Sequence, residues 1–132
     1  MSDTSSQASS SKLIWAGRVM SALPSLILAG SAAAKLTSSP EMVENFAKMG
    51  FPPGSMLTIG IVEALSLLFY LVPQTAVLGA ILITGYMGGA VAIHVKQAEP
   101  IFLQVGIGVL AWGGLFLRDA RLRELLPLRK LS

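Results

Sequence analysis

A single carboxylate, Glu63, sits in the middle of a long apolar run over residues 54–72 of this 132-residue chain. An ionisable group at bilayer depth costs a few kcal/mol, roughly 2.5–3.5 for Asp at a helix centre, so it faces a bundle interior and takes a partner. On a helix, Met56, Ile59, Glu63, Ser66 and Tyr70 share one face, with a hydroxyl one turn and a phenol two turns from the carboxylate. Such a stripe can line a polar pocket. Arg18 lies about 7 Å and Glu63 about 14 Å from the same boundary of the apolar layer, at about 1.5 Å per residue. These depths allow an Arg18–Glu63 ion pair that fixes helix register or holds a polar ligand. The plainer reading of Arg18 is a side chain snorkelling to headgroups.

His94 is the only histidine and stands near the end of the third apolar run, beside Lys96. It could hydrogen-bond a quinone carbonyl or relay a proton, although a plain interfacial position is the simpler reading. One histidine without companions makes no metal site. Lys35, near the same surface, reads as a headgroup contact more readily than as a ligand. The chain offers no nucleophile beside a base, no phosphate-binding glycine loop and no paired metal-ligand spacing. No catalytic step follows from these residues, and the expectation is a protein that is not an enzyme by itself.

The elements that must position these groups follow from composition. The chain is 53% hydrophobic and only 13% charged, more apolar surface than a soluble core of one domain absorbs. The apolar runs cover residues 13–36, 54–72, 75–95 and 101–117, each near the ~20 residues that cross a bilayer. In lipid the backbone must bond internally, so the runs are expected to be helices. The fold class is therefore an all-α integral membrane protein, a four-transmembrane-helix bundle. A short interfacial helix should lie between spans one and two: Ser39, Pro40 and Glu41 start it, Met42, Phe46 and Met49 form its apolar stripe, and Gly50 ends it.

The two-residue link Pro73-Gln74 makes spans two and three antiparallel neighbours. Gly85 and Gly89 form a GxxxG, and Gly88 with Thr84 and Ala92 a second small-residue row, so Gly85, Gly88 and Gly89 are expected at a helix contact. Trp112 should reach toward the headgroups. Residues 1–12 are polar and Ser-rich and read as a disordered cytoplasmic tail; residues 118–132 read as a basic cytoplasmic tail. With both termini cytoplasmic, Lys12, Arg118, Arg121, Arg123, Arg129 and Lys130 lie inside, against Lys35, Lys48 and Lys96 outside, in accord with the positive-inside rule. A rival reading makes span one a signal peptide cleaved near Ala32-Ala33-Ala34. The net charge of +3 comes without a base-stacking or phosphate-cradling pattern, so no nucleic-acid partner is expected. There is no cysteine, which removes thiol relays and disulfides.

Four stretches carry a resemblance to a known family: the first-helix ending Ala29-Gly30-Ser31-Ala32-Ala33-Ala34-Lys35-Leu36; Gly60-Ile61-Val62-Glu63; the third span from Thr75-Ala76-Val77-Leu78-Gly79-Ala80 through Thr84-Gly85-Tyr86-Met87-Gly88-Gly89 to His94; and the ending Leu117-Arg118-Asp119-Ala120-Arg121-Leu122-Arg123. Together they make the chain resemble the DoxX-like family of small four-span membrane proteins, mostly bacterial, over residues 15–129. The family's name derives from subunits associated with thiosulfate and quinone oxidoreduction. The resemblance implies a protein of the bacterial cytoplasmic membrane, an accessory or quinone- or lipid-binding component of an oxidoreductase system, with a redox-protein partner or a homo-oligomeric state. Two other readings fit the residues: a small proton-coupled transporter using Glu63, and a membrane scaffold in which Glu63 is structural.

Overall fold

The structure, a computed structural model, describes the backbone over residues 3–129 and side chains over residues 11–129. Within these residues it is all helical: α1 (Asp3–Leu36), α2 (Pro40–Lys48), α3 (Ser55–Leu71), α4 (Ala76–Lys96), α5 (Phe102–Arg118) and α6 (Ala120–Leu125). Two stretches, Ser11–Leu36 and Pro73–Lys96, are long and apolar enough to cross a membrane, and Ser55–Leu71 and Phe102–Arg118 are shorter apolar helices. The packing closes a cycle in which α1 meets α3, α3 meets α4, α4 meets α5, and α5 returns to α1.

Helix α1 begins well before the first apolar residue. The polar segment expected to be disordered continues the helix back to Asp3. Residues 3–12 contain no Gly or Pro, and adding residues to an existing helix avoids the costly nucleation step. Met1, Ser2 and the last three residues of the basic tail lie outside the described residues. The Ala32-Ala33-Ala34 stretch is interior to α1, and Ala32 is buried in the packed face.

Three of the helix ends share one device. At the ends of α1, α2 and α4 the chain turns through a left-handed residue, Ser38 (φ 54°), Gly50 (φ 84°) and Ala98 (φ 57°). In each the next residue's N–H reaches back five positions: Ser39 to Ala34, Phe51 to Phe46, and Glu99 to His94. This paired closure satisfies carbonyls that a helix end leaves free. At α2 the ring of Phe51 also packs on that of Phe46, 5.0 Å away, so Gly50 ends that helix with an apolar clasp. Ser39 occupies the N-cap of α2 without a side-chain bond, and Pro40 opens the first turn.

On the inner side of the cycle lie Leu28, Leu67, Tyr70, Ala76, Ala80, Ile83, Met87, Ile107, Ala111 and Leu115. The outer faces are apolar as well: Leu26 is 71% exposed, Leu68 57%, Ile81 54% and Val109 63%. Helices apolar all round belong in a core or a bilayer, and these outer faces have no protein over them.

Close approach between helices depends on glycines other than those expected. A Cβ on Gly79 would strike the backbone of Tyr70, and one on Gly114 would strike the Ser21 hydroxyl. Around Gly85, Gly88 and Gly89 a Cβ would meet nothing within 4 Å. The expectation that these three glycines pack against a neighbouring helix of the same chain is therefore corrected. Helix α4 turns its Gly79, Ala80, Ile83 and Met87 face to the core, and Gly85 and Gly89 stand about 200° round the helix from Ile83 and Met87. Trp112 also departs from expectation: its indole donates to Thr84 Oγ1 at 2.6 Å, tying α5 to α4.

Candidate functional site

Helix α1 aims one stripe inward: Gly17, Ser21, Leu28, Ala32 and Lys35 are buried, at helical spacings of three, four or seven. Lys35 stands at the end of the helix, where a lysine would normally reach for solvent. A helical side chain instead leans toward the N-terminus of its own helix. Its ammonium thus comes back over Ser31, to which it donates a hydrogen bond. On α3 the buried stripe is Met56, Gly60, Glu63, Ser66, Leu67 and Tyr70, with Ile59 half-buried.

The two stripes meet in an ion pair. Lys35 Nζ lies 3.0 Å from Glu63 Oε1, and the residues are 6% and 2% exposed. Ser31 Oγ donates to the same carboxylate oxygen at 3.2 Å. The Tyr86 ring, from α4, lies with its centroid 5.9 Å from Lys35 Nζ. The charge on the ammonium is therefore met by a carboxylate, a hydroxyl and an aromatic face. Desolvating both charges is expensive, and only such a fully partnered arrangement offsets it.

The Arg18–Glu63 pair is corrected by this geometry. Arg18 is exposed, and its guanidinium lies over the Trp15 ring, 5.0 Å from the centroid. Depth along the helix had made the pair plausible, but Arg18 follows Gly17 on the sequence and so points about 100° away from the inward stripe. Ser66 does not reach Glu63 either; its hydroxyl bonds back to Val62 O at 2.7 Å.

Tyr70 belongs to a second polar cluster nearer the chain ends. Its hydroxyl donates to Ala111 O at 2.6 Å and lies 2.7 Å from Ser21 Oγ, which accepts from Arg118 at 3.1 Å. Since the phenol proton is committed to Ala111, Ser21 is the donor to Tyr70, and the bonds run in one direction from Arg118 to α5's carbonyl. One face of α3 therefore serves two separate sites.

Beside the ion pair opens a cavity of about 540 Å³. Its wall is mostly apolar, with Ile27 and Leu28 from α1, Met87 and Ile93 from α4, and Leu103 and Ile107 from α5. Met42 and Phe46 of α2, with Met49 at its C-cap, close one side, so the amphipathic stripe of that short helix faces this space. Gly85 and Gly89 line it too, which accounts for the open space around them. The polar groups are Ser31, Lys35, Glu63 and Tyr86 in one part, and His94 and Gln104 in another. His94 Nδ1 bonds Ala90 O at 2.8 Å, and its Nε2 is 3.2 Å from Gln104 Nε2.

Ser31 and Gln104 were passed over in the sequence, and Lys35 was undervalued. The signal for Ser31 and Lys35 was their i, i+4 spacing on the stripe that includes Ser21 and Leu28. Nothing comparable marks Gln104, one polar residue in a glycine-rich helix.

Chemically the arrangement is a container for an apolar molecule with a polar part. Among the described residues no group of His, Asp or Glu is arranged to hold a metal ion. An all-helical chain whose long apolar helices leave apolar outer faces uncovered is a membrane protein. The DoxX-like family model matches residues 19–114, and the chain belongs to the DoxX-like family. The matched segment contains Ser31, Lys35, Glu63, Tyr86, His94 and Gln104 and stops short of Arg18 at one end and Arg118 at the other. No curated protein and no solved structure matches the chain.

Proposed function

We propose that this protein crosses the cytoplasmic membrane four times, with both termini cytoplasmic, and binds a quinone- or lipid-like molecule in the cavity beside Glu63. Its role is that of an accessory component of a membrane oxidoreductase system. The observation that carries this reading is the apolar cavity with a buried Lys35–Glu63 pair in its wall. Helices of 17 residues, such as α3 and α5, stand at the short end of the 17–25 that span a bilayer. Burial of Lys35 strengthens the charge bias, since it removes one cation from the outer loops and leaves Lys48 and Lys96 there.

The test is mass spectrometry of the protein purified in mild detergent, beside Gly89→Phe, which fills the cavity and leaves the ion pair in place. An isoprenoid quinone or lipid retained by wild type and lost from the variant is the expected result, with a redox protein copurifying in stoichiometric amount. Equal retention by both proteins would overturn the cavity assignment.

Burial of the Glu63 carboxylate, at 2% exposure, favours a second reading, proton-coupled transport. In that case liposomes carrying the protein pass protons down a gradient, and Glu63→Gln abolishes the flux.

A further inference from the structure

The Arg118 guanidinium donates to Ser21 Oγ at 3.1 Å, which sets the first half of α1 beside the end of α5. Lys12, Arg18, Arg118, Arg121, Arg123 and Arg129 therefore gather at one end of the bundle. Two of them serve the fold. Arg118 also reaches Gly114 O, and Arg123 donates to Phe116 O at 3.0 Å and Leu117 O at 2.9 Å, carbonyls that the end of α5 leaves free. Lys12, Arg18, Arg121 and Arg129 are exposed and have no ion-pair partner among the described residues. Asp119 is held as the cap of α6, where it accepts from the Arg121 N–H. Glu124 is the one exposed carboxylate at this end among the described side chains.

The segment after α5 mixes this charge with uncovered apolar groups. Leu122 is buried, whereas Leu125, Leu126 and Leu128 are exposed, Leu128 to 83%. Water disfavours the leucines and hydrocarbon disfavours the arginines. The headgroup layer of a bilayer takes both, with apolar groups sunk toward the acyl chains and cations at the phosphates. We infer that residues 120–129 lie in that layer and bind anionic phospholipid, with Arg121 and Arg129 on the phosphates and Leu125, Leu126 and Leu128 inserted. A zwitterionic headgroup cancels its own phosphate charge, so the excess of cations selects lipids of net negative charge. This surface lies toward the opposite end of the molecule from the cavity and stands whether or not the cavity holds a ligand.

The experiment is native mass spectrometry of the full chain in mild detergent, offered equal amounts of phosphatidylglycerol and phosphatidylcholine with identical acyl chains. Wild type should retain phosphatidylglycerol in more than tenfold preference. Arg121→Gln and Arg129→Gln should each lower that preference about fivefold, the equivalent of ~1 kcal/mol, and together bring it near parity. Both side chains are exposed, so the melting temperature should stay at the wild-type value. Lys96→Gln, at the other end of the bundle, should leave the preference unchanged. Equal retention of the two lipids by wild type would overturn the inference and leave these cations to an acidic protein partner. A preference that survives in the double variant, or that Lys96→Gln lowers as much, would overturn the assignment to this segment. Leu128→Cys gives this cysteine-free chain a single thiol for a fluorophore. In phosphatidylglycerol vesicles a lipid with a nitroxide near its headgroup should quench it; fluorescence left unquenched would overturn the insertion.

Discussion

Gly60 and Lys35 meet where α1 and α3 come closest to the ion pair: a Cβ on Gly60 would lie 2.9 Å from Lys35 Cβ. One turn of α3 thus combines an absent side chain, which admits the lysine stem, with Glu63, which receives its head. Gly60→Ala should destabilise the protein by about 1–3 kcal/mol, because the inserted methyl must displace α1. Thermal unfolding in detergent reads this directly. Should the variant melt higher, as helix propensity alone would have it, the close approach is not present in solution.

The ion pair itself is open to a double-mutant cycle. Lys35→Met or Glu63→Gln alone leaves a buried partner unsatisfied, and for Lys35→Met the loss should fall at about 3–5 kcal/mol. The double variant should lose less than the sum, with a coupling energy above ~1 kcal/mol. The parallel cycle of Arg18→Ala with Glu63→Gln should show coupling near zero. Strong coupling to Arg18 and none to Lys35 would reverse the assignment made here.

A contrast between two glycines of α4 separates packing from open space. Gly79→Ala places a methyl on the Tyr70 backbone, which cannot yield without moving the α3–α4 hairpin. Gly85→Ala meets nothing and gains helix propensity of about 1 kcal/mol. The first should lower the melting temperature sharply and the second should hold or raise it. If Gly85→Ala proved as damaging as Gly79→Ala, that row would be a contact surface with a second copy.

The apolar runs and the inward face of α3 were legible in the sequence, because a 3.6-residue period is written in which residues can tolerate burial. Glu63 stood out for the same reason. Its partner did not, because axial depth is additive along a helix whereas azimuth depends on the whole stripe. Arg18 had the depth, and Lys35 had the direction. The glycine rows illustrate a different gap. Gly79 and Gly85 look alike in sequence, and only the position of Tyr70 on the neighbouring helix distinguishes a contact from a cavity wall.

Tyr70 offers the last prediction, on the cluster farthest from the cavity. Its hydroxyl accepts from Ser21 and donates to Ala111 O, and Arg118 reaches the same Ser21 while its guanidinium lies 5.8 Å from the Tyr70 ring centroid. Tyr70→Phe keeps the ring and removes only the oxygen. Ser21 then loses its acceptor inside a tight α1–α5 contact, so stability should fall by about 1–3 kcal/mol. Ligand binding in the cavity should be unchanged, since Tyr70 does not line it. Measuring both quantities on the same variant tests whether the two polar clusters are independent. A Tyr70→Phe protein with normal stability but weakened ligand binding in the cavity would mean that α3 couples them.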